Sequence, residues 1–298
     1  MSDALDVVVV AYRSRALVRG CLASLTAHPP ARPMRVTVVD NGSGDGTVEL
    51  VHSEFPDIEV VALGENRGFA AATNIGIRRG SAPYVLALNP DTEVSDGALD
   101  RVLDVADARP HVAIVGCRLV RADGRFDHAA SRRFPSPLGA LGHFLPLGER
   151  IRRGPLDGYR LPEHRGGPVD AVNGAFMLLR RAALDEVGAF DEGYWMYMED
   201  LDLCRRLADA GWSTWYEPTA SVRHLKGGTT GGRRSVRLLY AFHYGMFRFY
   251  RRHEAHRRSA LVNAAVYAGI ALRLAVTSGA AAVGAVIGFR HGGSVGTP

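Results

Sequence analysis

The feature that most constrains this chain is a repeated alternation, over residues 5–92, of short β-branched runs with helical patterns. "LDVVVVAY" from Leu5 and "MRVTVVD" from Met34 are continuous apolar runs bounded by turn formers, which marks strands buried on both faces. Between them Leu17, Cys21, Leu22 and Leu25 recur at helical spacing. Strand, helix and strand in that order predict a parallel pair joined by a right-handed crossover. "IEVVALG", a helix through "FAAATNIGIRRG" and the strand "YVLALNPD" continue the series. The order predicts an α/β nucleotide-binding half with ligands beyond the carboxyl ends of its strands.

Those strand ends carry one kind of residue. They read "AYRS", "DNGSGDGT", "GENRGFA" and "NPDTE". Each is polar, and most contain Gly or Asn, which permit positive φ and a close approach of backbone N–H groups to a ligand. Four such loops on one sheet edge point to a binding site rather than four independent turns. No G-x-G-x-x-G follows the first strand, and neither G-x-x-x-x-G-K-[ST] nor G-x-S-x-G occurs. A usual dinucleotide fold, a P-loop and a hydrolase elbow are therefore unsupported.

A further helix over 97–108 and the strand "HVAIVGCRLV" follow. Residues 123–168 are rich in Gly, Pro, Arg and His with weak periodicity, the character of long loops that shape a site. Regularity returns in "VDAVNGAFMLLRRAALDEVGAFDE", read as a strand through Met177–Leu179 and a helix ending near Gly188. Then comes "YWMYMEDLDLCRRLADAG", where three acids directly follow an aromatic and methionine run. A helix over 200–210 would begin with acids that suit its dipole and stop at Gly211. On that helix Asp200 shares a face with Leu203, Cys204 and Leu207, whereas Asp202 and Arg206 make an i,i+4 pair on the opposite, surface face. An inward carboxylate must be solvated, paired or facing a cleft. Asp200 is then either a general base or an N-cap, and Glu199 either a cap or an acceptor contact.

Charge is unevenly spread. The net formal charge is +5 over 298 residues. Arg223–Arg258 holds ten Lys/Arg against Glu254 alone, a block of +9 that leaves the rest at −4. A local block suggests an anionic surface or a phosphate-bearing ligand, and no nucleic acid, with a solvated helix face as the plain alternative. The apolar stretch over 260–289 is long enough to span a bilayer but is interrupted by Arg273 and loosened by Gly279, Gly284 and Gly288. It reads as an interfacial or partner-docking segment, or as a buried helical hairpin. Cys21, Cys117 and Cys204 are too scattered for a disulfide framework and fit a reducing cytoplasm. The N-terminus lacks the basic region of a signal peptide.

Taken together, "VVVAYRS", "VVDNGSGDGT", "ENRGFAAATNIGI", "LNPDTE", "VNGAFMLLRR", "YWMYMEDLDLCRRLADAG" and "HLKGGTT" resemble the family-2 glycosyltransferases of GT-A fold, and especially the bacterial branch that uses dTDP-L-rhamnose. The matching segments run in family order from Leu5 to Thr230. The resemblance implies a GT-A mixed α/β sheet with flanking helices in a catalytic domain over 1–230, and a basic, apolar helical extension over 231–298. It implies that Ala11, Tyr12, Arg13 and Asp40 hold the base and ribose, and that Asn66, Arg67, Gly68 and Asn74 lie against ribose and diphosphate. Asp91 takes the place of the last carboxylate of the family's Asp-x-Asp metal motif, and His224 matches a histidine that completes the metal site for Mg²⁺ or Mn²⁺. Asn89 stands at the motif's first position, so the site offers one anionic ligand fewer. Asp200 is similar to the family's catalytic base, and Gly174 with Trp195 and Glu199 matches the acceptor side. The implied reaction is inverting transfer of a sugar from a nucleoside diphosphate donor to a glycan or lipid-linked acceptor, in the cytoplasm and at the inner face of the membrane if 231–298 docks there. A nucleotidyltransferase would need a Gly- and Arg-rich loop that "VVVAYRSRA" lacks. A non-catalytic sugar-nucleotide-binding protein would not need an inward Asp200.

Overall fold

The computed structural model describes residues 4–135, 161–163, 165–225 and 235–291. Most of the expected loop over 123–168, the "KGGTT" part of "HLKGGTT", Arg233 and Arg234 lie outside the described residues. Four strands, β1 (Leu5–Ala11), β2 (Met34–Asp40), β3 (Glu59–Ala62) and β4 (Tyr84–Leu88), pair in parallel in the order β3-β2-β1-β4. The crossovers between them are α1 (Arg15–Ala27), α2 (Thr47–Glu54) and α3 (Phe69–Ile77), as the apolar periodicity predicts.

Beyond β4 the sheet becomes mixed. After β5 (Thr92–Val94) and α4 (Ala98–Asp107) comes β6 (Val112–Arg121), and β10 (Phe176–Arg180) inserts antiparallel between β4 and β6. β11 (Ser213–His224) lies parallel to β6 and antiparallel to β5 and β8 (Gly167–Val169). A separate two-stranded ribbon joins β7 (Ser131–Arg132) to β9 (Ala171–Val172). β1 illustrates why its sequence is apolar throughout: Leu5, Val7 and Val9 face a core closed by α1, α2 and α4, while Val8 and Val10 face a second core. That second core is closed by α3, α5 (Arg181–Val187), α6 (Glu199–Asp209) and α7 (Val236–His253).

The helix with the three acids differs from expectation on one point. Asp202, expected on the surface with Arg206, is fully buried. Arg206 Nε does donate to its Oδ2 at 2.8 Å, but Oδ1 also receives the Tyr194 hydroxyl at 3.2 Å and lies 2.8 Å from His253 Nε2. The helical wheel places Asp202 correctly opposite Leu203 and Leu207; it cannot reveal that α7 covers that opposite face. Arg206 extends the network to the carbonyls of Val187, Gly188 and Ala189. Arg248 and Arg252 of α7 pair with Asp191, so part of the basic block is spent on mooring α7 rather than on an external anion.

The C-terminal segment is a 32-residue helix, α8 (Ala260–His291), which packs on α7 through Tyr267 against Phe247 and Tyr250. The buried-hairpin alternative does not hold for it: Leu261, Leu272 and Val276 are more than 60% exposed. Residues Ala260–Gly279 are long and apolar enough to cross a membrane by length and composition, with only 6% of that span buried.

Burial pushes the Asp202 carboxyl up, but the hydrogen bonds from His253 and Arg206 outweigh it and hold its pKa below the usual value. A depressed carboxylate contributes stability that is present above its unfolded pKa and is lost as pH falls. Asp202→Asn should therefore destabilise the fold by about 3–5 kcal/mol at neutral pH, since it leaves the largely buried Arg206 guanidinium without its carboxylate. The loss should shrink in acid. Urea unfolding at pH 7 and at about pH 2.5, below the usual carboxylate pKa, measures both, and an equal, sub-kcal effect at the two pH values would contradict this account.

Candidate active site

The carboxyl ends of β1, β2 and β4 open into a cavity of about 300 Å³. Tyr12 follows β1, Asn41 follows β2, Asn66 precedes α3, and Asn89, Pro90 and Asp91 follow β4. Asn41 binds this edge together: its amide donates to Asn66 Oδ1 and to the Gly68 carbonyl, and its Oδ1 accepts from Arg67 N. The opposite wall is built by Asn173, Gly174 and Ala175, by Met196–Asp200 at the start of α6, by His224 at the end of β11 and by Phe242 of α7.

Asp200 sits where the two walls meet. It is 8% exposed. Its Oδ2 accepts from Arg132 Nη2 and from Gly174 N at 3.0 Å, and its Oδ1 accepts from Leu201 N at 2.8 Å. The same Arg132 nitrogen reaches the Val172 carbonyl at 2.6 Å. A Cβ at Gly174 would stand 3.4 Å from that of Asp200, so glycine lets the backbone approach the carboxylate. Neither acid occupies the N-cap, which is Met198, and no side chain caps the helix, although Asp200 does accept from the Leu201 amide of its own first turn. Tyr197 and Met198 both take left-handed backbone angles, φ 71° and 74°, at a cost of roughly 1–2 kcal/mol each. α7 presses on this turn through Gly245, where a Cβ would come within 2.9 Å of the Tyr197 carbonyl oxygen.

Glu199, beside Asp200, is 6% exposed and lines the cavity. Burial, reinforced by the Asp200 charge, raises it to about 8. On the cavity's other side, Asp91 Oδ1 is buried without a hydrogen-bond partner among the described residues and lies 3.4 Å from His224 Nε2. The second imidazole nitrogen lies 3.7 Å from Asp127 Oδ2. Burial alone would lower the His224 pKa, but the neighbouring Asp127 and Asp91 carboxylates outweigh it and raise it to about 9. Among the described residues no cluster of three or more His, Cys, Asp or Glu forms a metal site.

Of the residues singled out in the sequence, Tyr12, Asn66, Asn89, Asp91, Gly174, Glu199, Asp200 and His224 line this cavity. Ala11, Arg13 and Asp40 do not line it: Ala11 and Asp40 are buried and Arg13 is exposed, and Ser43 accepts from Arg13 N and donates to Asp40 Oδ2, leaving Asp40 Oδ1 buried and unpartnered among the described residues. Arg67 is exposed. Gly68, at φ 88°, meets Trp195, which packs over it with the Arg237 guanidinium on its ring and does not line the cavity. Asn74 does not reach the cavity either; its amide is spent on the Phe190 backbone and Glu192, clasping α3 to the 190–192 turn. The sequence reading missed Asn41, Arg132 and Asp127. Asn41 stood in the quoted "DNGSGDGT" loop; nothing in "FDHAASRRF" distinguishes Asp127 or Arg132 from surface charges.

A parallel half whose strand ends face an acid-bearing cleft, closed by a mixed second half, is the arrangement of the GT-A fold. Solved structures agree on the fold. PcManGT, a mannosyltransferase from Pyrobaculum calidifontis in complex with GDP-Man and Mn²⁺, is 17% identical and covers 99% of this chain and 77% of its own, with a TM-score of 0.57. GalNAc-T7 with UDP, GalNAc and Mn²⁺ is 14% identical at a TM-score of 0.59, covering 84% of this chain, which spans about half (48%) of that one. The chain belongs to glycosyl transferase family 2, whose family model matches residues 6–188. An N-acetylglucosaminyl-diphospho-decaprenol L-rhamnosyltransferase of Mycobacterium tuberculosis is 36% identical over 247 residues, 78% of this chain and 79% of the relative. The hexosyltransferase Agl10 of low-salt glycan biosynthesis in Haloferax volcanii is 25% identical over 69% of this chain and 62% of its own.

Proposed function

We propose that this glycosyltransferase moves L-rhamnose from dTDP-L-rhamnose to a hydroxyl of a lipid-diphosphate-linked sugar, with inversion, and that Asp200 is the general base. The observation that carries the reading is the position of Asp200: one cavity holds its carboxylate on one wall and Asp91 on the other. The choice of rhamnose and of a lipid-diphosphate acceptor follows the mycobacterial relative.

In this mechanism Tyr12 and Asn66 hold the nucleoside, and Asn89 lies along the diphosphate. The acceptor lies against Gly174, Glu199 and the Met196–Met198 wall. Asp200 takes the proton of the attacking hydroxyl as the new bond to the anomeric carbon forms and the sugar–phosphate bond breaks, its electron pair leaving with dTDP. Arg132 and the Gly174 N–H fix the carboxylate so that little reorganisation is needed at that moment. One carboxylate suffices for a single displacement on the far face of the sugar.

A divalent metal fits the residues present. Asp91 offers a buried oxygen without a hydrogen bond beside His224, and the demand of Asp91 and Asp127 for positive charge, which now raises the imidazole pKa, suits a cation. Mg²⁺ and Mn²⁺ sites commonly take one or two protein ligands and complete their shell with substrate phosphates and water. Asp91 and His224 would hold the ion, and its charge would stabilise the leaving diphosphate.

The exposed apolar α8, preceded by Arg251, Arg257 and Arg258, supports contact with an anionic bilayer, where a lipid-linked acceptor resides. Within the expected 231–298 extension, α7 lines the cavity through Phe242 and α8 packs on α7, so one helix links the membrane-contacting segment to the acceptor wall.

Calorimetric titration of dTDP-L-rhamnose with Mn²⁺ tests the site. Asp200→Asn should bind donor within about threefold of wild type while transfer falls at least about a thousandfold; undiminished transfer would sink Asp200 as base. Asp91→Ala should lose the metal-dependent part of donor affinity, and full retention would remove Asp91 from the metal site. Flotation with anionic phosphatidylglycerol vesicles should recover wild-type protein but not a variant with Leu261, Leu272 and Val276 changed to Ser; equal recovery would contradict docking through α8.

A further inference from the structure

The paired acids at the start of α6 face one buried cation. Arg132 of β7 and the Gly174 N–H both go to Asp200, whereas Glu199 Oε2 is buried with no hydrogen-bond partner among the described residues. The groups facing Glu199 are Asp200 on its own helix and Arg132 on β7, with Asp91 after β4 and His224 at the end of β11 across the cavity. A second negative charge on Glu199 would be desolvated and adjacent to Asp200, and these two conditions outweigh the opposing pull of Arg132, which is already paired with Asp200, and favour the protonated acid. Glu199 is nevertheless on the cavity wall, with a polar atom that must find its partner in whatever fills the cavity.

We propose that Glu199 works as a neutral carboxylic acid, donating its O–H to an uncharged oxygen of the acceptor sugar, a hydroxyl or an amide carbonyl, beside the hydroxyl that attacks. The proposal rests on the reading of this wall as the acceptor side. It divides the two neighbouring carboxyls by environment: Asp200, compensated by Arg132, accepts a proton, and Glu199, uncompensated, supplies a hydrogen bond. It also gives a specificity rule. An acceptor with an anionic group at that position would lie against the Asp200 charge in a desolvated wall, and would be rejected. The raised pKa of about 8 agrees with the geometry and sets where the donor is lost: above it, Glu199 offers only lone pairs, and acceptor binding weakens.

Infrared difference spectra of wild type against Glu199→Gln test the proton directly and require no substrate. A protonated-carboxyl C=O band should be present in the wild type at pH 7, absent in the variant, and titrate away around pH 8. In Asp200→Asn the band should disappear at lower pH, because Glu199 loses a neighbouring negative charge and Arg132 no longer has Asp200 to pair with; a band that is unchanged or persists to higher pH would overturn the pairing of the two carboxyls. Absence of the band at pH 7 would overturn the proposal outright. The second arm measures KM for a synthetic GlcNAc-diphosphoryl-lipid with dTDP-L-rhamnose. In wild type it should rise about tenfold between pH 7 and pH 9, as expected for one titrating donor, while in Glu199→Gln it should not change with pH over that window. An equal rise in the variant would overturn the contact with the acceptor. Failure of wild type to use this acceptor at all would count against the substrate reading, while the infrared band still decides the state of Glu199.

Discussion

The ion pair between Arg132 and Asp200 is the interaction on which the acid wall of the cavity depends. It ties β7 to the start of α6, two elements far apart in sequence, and it compensates a carboxylate that is only 8% exposed. Removing one partner of such a buried pair typically costs about 3–5 kcal/mol, because the other charge is left without compensation. Here the pair also selects which of two adjacent acids is compensated. The Gly174 N–H adds to the selection, and the absence of a side chain at Gly174 permits the approach.

α7 is the second constraint. The chain enters α6 through two consecutive non-glycine residues in left-handed conformation, Tyr197 and Met198, which would relax if nothing opposed it. Gly245 lets α7 press against this turn, and Asp202 with His253 and Asp191 with Arg248 and Arg252 moor that helix from below. The same helix supplies Phe242 to the cavity and leads into the exposed α8. The direction of Asp200, the shape of the acceptor wall and the attachment of the C-terminal helix are thus mechanically connected.

How much of this was legible in the sequence depended on whether the cause was local. The parallel half could be read from β1 to β4 because strands buried on both faces must be apolar throughout, and the strand-end loops then had only one edge to occupy. Asp200 was legible as an inward acid from helical periodicity. Asp202 was misplaced because periodicity reports which face a residue is on, not whether α7, more than thirty residues later, covers that face. Arg132 was invisible for the same reason: its partner is 68 residues away. Trp195 and Asn74 belong to motifs that match the family, yet their side chains fasten the loops that shape the site, Trp195 over Gly68 and Asn74 across to Phe190.

The central claim is that a single base, Asp200, drives one displacement at the anomeric carbon. The anomeric configuration of the product, read by NMR from transfer with a donor of defined configuration, tests it most directly. One displacement predicts a glycosidic bond of opposite configuration to the donor. Retention of the donor's configuration would require a second displacement or front-face attack, and would contradict the account.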